Sequence, residues 1–140
     1  MEILDRQCEK FMGGPTVPFR ERAHVTINWK GAIFLNQKAH AMMGRPLAVY
    51  LYYNREKDMI ILERTDALRA NEAFTLRQFG HNGSGRAIQA IPFCKHFRIK
   101  VEGTVRFLQP EVDSVGRLYL KLRDTVTVSR LNPTKRKKTK

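Results

Sequence analysis

Two stretches of equal length decide the fold: GAIFLNQKAHAMMG at residues 31–44 and GRAIQAIPFCKHFR at residues 85–98. In the first, an apolar run at 32–35 predicts a strand, Asn36 is suited to cap a helix, and residues 37–43 supply helix formers. Ala39, Met42 and Met43 recur there at spacings of three and four, and Gly44 stops the turn. In the second, residues 86–91 predict a strand, Pro92 suits a first helical position, and residues 93–97 predict a short helix ending before Ile99. Gly31 precedes Gly44 by 13 residues and Gly85 precedes Arg98 by the same 13, so each interval holds one strand and one short helix.

Outward from these stretches the order of elements repeats. Upstream of the first, Val25 and Ile27 alternate with Thr26 and Asn28 before a tight turn at Trp29, Lys30 and Gly31. Downstream, residues 47–53 and 59–62 predict a hairpin around the polar stretch 54–58, and the unit closes near Thr65 and Asp66. Upstream of the second stretch, Phe74 to Arg77 begins a strand followed by a longer turn with Gly80, Gly83 and Gly85. Downstream, residues 104–108 and 118–122 predict a hairpin around 113–116. The resulting organisation is an irregular lead-in at 1–22, broken by Gly13, Gly14, Pro15 and Pro18, a first unit at 23–66 and a linker at 67–72. A second unit at 73–124 and a basic, disordered tail at 125–140 complete it. At 140 residues the two units are expected to share one core.

Charge bears on the partner. The chain has 26 Lys and Arg against 13 Asp and Glu, a formal net charge of +13. Removing the six bases after Asp124 still leaves +7, so the body is basic without its tail. Such an excess concentrates polyanions, whether DNA, RNA or an anionic surface, and charge alone does not choose among them. No run approaches the ~20 apolar residues of a membrane span, and charges fall where a secretory signal would be apolar, so a soluble cytoplasmic protein is expected, nucleoid-associated if bacterial. Cys8 and Cys94 have no ligand-like spacing, and neither a metal nor a cofactor is expected. There is no phosphate-binding loop, nucleophile motif or carboxylate pair with a geometric partner, so the chain is not read as an enzyme.

The stretch 31–44 with its following hairpin, and its counterpart at 85–99, resemble the N-terminal domain of the AbrB/MazE/SpoVT family. Members of that family share a Gly-Arg turn, a strand ending in Pro, a short helix and a Leu-Gly stop. The resemblance covers residues 23–66 and 73–124. It departs where Ala32 replaces the turn Arg, Asn36 the strand-ending Pro and Arg98 the stop Gly. It implies a mostly β fold with short helices, in which tandem β-β-α-β-β units form one swapped-hairpin barrel. The chain would then be a monomeric pseudo-dimer or a homodimer.

The resemblance also implies DNA binding in transcription. In such a barrel the strand-turn-strand segments lie close together, placing Lys30, Arg77, His81 and Arg86 on one face as phosphate or base-edge contacts, with Arg86 matching the family's basic turn residue. Lys38 and Lys95 on the helices, with Arg45 and Arg98 at their ends, would add contacts. The tail bases Arg130, Lys135, Arg136, Lys137 and Lys138 would bind any sequence alike. Double-stranded DNA is the favoured partner. RNA binding and a protein-interaction role, as an antitoxin-like or ribonucleoprotein-associated scaffold, stay open as alternatives.

Overall fold

The computed structural model describes residues 22–66 and 71–129. The 1–22 lead-in, apart from Arg22, and the tail bases from Arg130 onward lie outside the described residues, as does 67–70 of the linker.

The described residues open with the hairpin β1 (Val25–Asn28) and β2 (Ala32–Leu35). Its three-residue turn is closed by Gly31 N–H on the Asn28 carbonyl at 3.0 Å, and the Asn28 side chain accepts from the Lys30 and Ala32 amides. Gly31 supplies the φ of +95° that this turn requires. Helix α1 (Gln37–Met42) follows at once because Asn36 Oδ1 accepts from Ala39 N–H at 2.9 Å. The same side chain accepts from His24 N–H and donates to the Arg22 carbonyl, tying the start of β1 to the start of α1.

Both helices end in the same way. After α1, Gly44 N–H bonds Ala41 O and Arg45 N–H bonds His40 O; after α2 (Ile91–Phe97), Arg98 N–H bonds Lys95 O and Ile99 N–H bonds Cys94 O. Gly44 at φ +87° and Arg98 at φ +56° occupy the same left-handed position. Glycine takes it without strain at the first, where an added Cβ would also have to displace the flexible guanidinium end of Arg64. At the second an arginine takes the conformation at a cost of roughly 1–2 kcal/mol.

The remaining strands are β3 (Ala48–Asn54), β4 (Met59–Thr65), β5 (Ala73–Thr75), β6 (Arg77–Phe79), β7 (Gly85–Gln89), β8 (Thr104–Phe107), β9 (Glu111–Val112), β10 (Leu118–Lys121) and β11 (Thr125–Ser129), with a 3-10 turn at His81–Gly83. The protein is mostly β. Among the described residues, eleven strands form two antiparallel sheets, sheet A in the order β11-β8-β1-β2-β7-β6 and sheet B in the order β5-β3-β4-β10-β9.

Within sheet A, β2 pairs β7 with Ala32 opposite Gln89, Ile33 opposite Ile88, Phe34 opposite Ala87 and Leu35 opposite Arg86. Moving each β2 residue forward by 54 and each β7 residue back by 54 returns the same four pairs, and 54 is the offset from Gly31 to Gly85. The helix-end bonds carry the same offset. Strands are also traded: β3 of the first half pairs β5 of the second, and β8 of the second pairs β1 of the first. One core serves both sheets, with Ile27, Ile33, Leu35, Ile60, Leu62, Ile88, Leu118 and Leu120 at 0–1% exposure. Each such side chain contributes on the order of 1.5–3 kcal/mol of transfer free energy.

Three expectations need correction. The strand starting at Phe74 is not continuous: it breaks at buried Leu76, whose amide bonds Leu47 O, so β5 joins sheet B and β6 joins sheet A. The second hairpin is divided as well. Pro110 has no amide for the ladder, the chain bends over residues 108–110, and the partner of β8 is β11 while β10 pairs β4 and β9. Consequently the tail expected from residue 125 begins as a strand, its Val126 lying opposite Arg106.

Candidate nucleic-acid interface

Basic residues are unevenly divided between the two halves of the molecule. Residues 22–45 and 76–108 build both helices, both hairpin turns and every strand of sheet A except β11; they hold ten Lys and Arg and a single acid, Glu102. The other described residues, 46–66, 71–75 and 109–129, hold six Lys and Arg against eight Asp and Glu. The first set carries +9 and the second −2. Some of the acids are also occupied: Arg117 pairs with Asp113 at 2.9 Å, Lys121 with Glu111 at 3.5 Å, and Tyr52 donates to Glu63.

Within the basic half the residues expected to bind are dispersed. Lys30 is exposed in the β1–β2 turn with its ammonium 5.2 Å from the Trp29 ring centroid. Arg77 is exposed on edge strand β6, and His81 is exposed in the turn before β7. Lys38 and Lys95 are exposed on the helices, and Arg45 and Arg98 at the helix ends.

Lys30, Arg77, His81 and Arg86 do not share one face. Because β2 and β7 run antiparallel, the turn carrying Lys30 lies at the Ala32–Gln89 end of their ladder and the turn carrying His81 at the Leu35–Arg86 end. Directly opposed residues point to the same side of a sheet. Arg86, opposite fully buried Leu35, is therefore on the core side, whereas Arg77, opposite Ala87, is on the outer side. Arg86 is half-buried, and its Nη1 donates to the Gly83 and Gly85 carbonyls at 2.8 Å each. It braces its own turn.

Arg86 also acts on His40. That imidazole, 5% exposed on α1, bonds the Pro46 carbonyl through Nε2 at 2.9 Å, so Nε2 carries the proton. Burial lowers its pKa below the ordinary 6.5; the Pro46 bond opposes the shift, and the Arg86 and Arg45 cations add to it. Cys94, at the corresponding place on α2, has its thiol pKa raised by burial.

The outer side of sheet A presents a transverse rank in direct register: Val126, Arg106, Thr26, Phe34, Ala87 and Arg77. At ~4.8 Å per strand, its two arginines, Arg106 on β8 and Arg77 on β6, are separated by about 19 Å along the sheet. Phe79, on the same side two residues beyond Arg77, lies with its ring centroid 4.8 Å from that of Phe34. Arg106, Phe34 and Phe79 were not singled out from the sequence. The signal for Arg106 was its alternation with inward Val105 and Phe107, but apolar Phe34 reads as core in a run where Ile33 and Leu35 are fully buried.

Comparison with protein-family models, curated proteins and solved structures finds no match. No helix among the described residues is long and apolar enough to cross a membrane, and they contain no cluster of three His, Cys, Asp or Glu side chains able to hold a metal.

Proposed function

We propose that this chain binds nucleic acid through the half built from sheet A and its two helices, and serves as a DNA-binding regulator or architectural factor of the swapped-hairpin type. The observation that carries the reading is the division of charge: ten bases and one acid on one half, against a slightly acidic remainder. A surplus concentrated in one half attracts a polyanion to that half, even with its residues spread over it. The trade of β3 and β8 between halves, and the ladder symmetric at an offset of 54, support the swapped-hairpin architecture. They also support its reading as an internal pseudo-dimer. In this reading Arg77 and Lys30 contact phosphates while Arg86 holds a turn in shape.

The test is a salt titration of binding. Arg77→Glu and Lys30→Glu, both at exposed positions, are expected to weaken binding to a DNA duplex. Each is also expected to flatten the dependence of log affinity on log salt, by about one unit of slope for every phosphate that the protein no longer neutralises. Unchanged affinity and slope for duplex, single strand and RNA would refute the assignment.

A further inference from the structure

We infer that the outer side of sheet A is a stacking platform for unpaired bases, so that within the nucleic-acid reading, on which this inference rests, the favoured ligand is single-stranded. A protein surface that only neutralises phosphates needs no aromatic rings. This side exposes one nevertheless: Phe79 is 39% exposed even though its ring covers Gly85, where an added Cβ would lie 2.5 Å from Cε1. Phe34 stands beside it at 4.8 Å between centroids, with the rings tilted by 55°. Neither ring belongs to the buried core, and the inward positions of β2 and β7 are filled by Ile33, Leu35 and Ile88.

Placement relative to charge gives the ring pair its meaning. Arg77 and Arg106 lie on either side of Phe34 in its rank, and Phe79 adjoins Arg77. A strand whose phosphates run between the two guanidinium groups crosses Phe34 and passes beside Phe79. Trp29, 37% exposed with Lys30 over its ring, repeats the combination of aromatic face and cation at the β1–β2 turn. Bases inside a duplex are already stacked and offer a protein only their edges, so a flat ring on a sheet gains nothing from them. Unpaired bases have a free face of any sequence, and aromatic side chains flanked by basic groups are the chemistry that takes it up.

The experiment measures binding of the full chain to a fluorescently labelled oligothymidylate of about ten nucleotides and to a duplex of equal length, at one salt concentration. The wild-type protein is expected to favour the single strand. Phe79→Leu keeps an apolar cover on Gly85 but removes the π face; it should reduce single-strand affinity about tenfold and leave the duplex within twofold, while Phe79→Trp restores or strengthens the single-strand complex. Equal loss on both ligands together with a lowered thermal midpoint would show that Phe79 only supports the sheet, and would overturn the platform. So would unchanged single-strand binding in Phe79→Leu, with the wider reading left standing. Failure of the wild-type protein to bind either ligand would overturn that reading itself.

Discussion

Asn36, which caps α1, and His40 within it show how much of this molecule is decided by single polar side chains. Asn36 makes three hydrogen bonds to three different backbone groups, tying the start of β1 to the first turn of α1. Its counterpart at the offset of 54, Ala90, caps nothing with its side chain, and there Pro92 supplies the helical φ instead. Burial lowers the pKa of His40, and that has a pH consequence. The unfolded histidine titrates near 6.5 and the folded one lower, so in the interval between the two the unfolded chain binds more protons. Stability is therefore present above about pH 6.5 and declines as pH falls below it. Urea unfolding at several pH values between 7.5 and 5.5 is expected to show this decline in the wild-type protein and a flatter profile in His40→Gln, whose amide keeps a donor for Pro46. Parallel profiles would remove His40 as the cause.

At the scale of elements, the β9–β10 turn is organised around one carboxylate. Asp113 accepts from the Val115 and Arg117 amides through Oδ1 and from Arg117 Nε and the Tyr119 hydroxyl through Oδ2. Desolvation works to raise its pKa, but these four bonds outweigh it and hold the value at about 2, below the ordinary 3.8. A depressed acid stabilises above its unfolded pKa, so this contribution is complete above about pH 4 and vanishes as pH falls towards 2. Asp113→Asn is expected to lose stability at pH 7 and to show less further acid loss between pH 4 and 2, followed by circular dichroism. An undiminished acid transition in the variant would place the titrating groups elsewhere.

Elements of this kind were largely legible in the sequence, because alternation, capping residues and turn glycines are local signals. Val25 and Ile27 point inward, Asn36 caps, and Gly44 and Arg98 end the helices as their spacing predicts. Partners were not legible. Nothing local says that 104–107 will pair with 125–129 rather than 118–121; Pro110 hints at a bend, but the choice is made by the shared core. For the same reason the candidate residues Lys30, Arg77, His81 and Arg86, which the sequence reading gathers onto one face, are spread by the antiparallel ladder over both ends and both sides of the sheet, with Arg86 alone among them half-buried.

For the whole molecule, exchange of strands means that neither half is complete by itself. Residues 22–66 alone would leave β1 without β8, β2 without β7 and β3 without β5. A peptide of that span is expected to be unfolded at low concentration, or to regain order only by pairing with its own copy through β2, as sedimentation and circular dichroism across a concentration series would report. A well-folded monomer would refute the mutual dependence of the halves.

The pairing of β1 with β8 also sets an order in time. Asn28 meets Thr104, so the first described strand cannot finish its ladder until most of the chain has been synthesised. Until then one edge of β1, with its amides and carbonyls unmatched, is available to any other extended segment. Contacts this distant along the chain slow folding, because loop closure must come before the gain. The first of the described strands thus completes its pairing late, and during synthesis its open edge needs protection from wrong pairing.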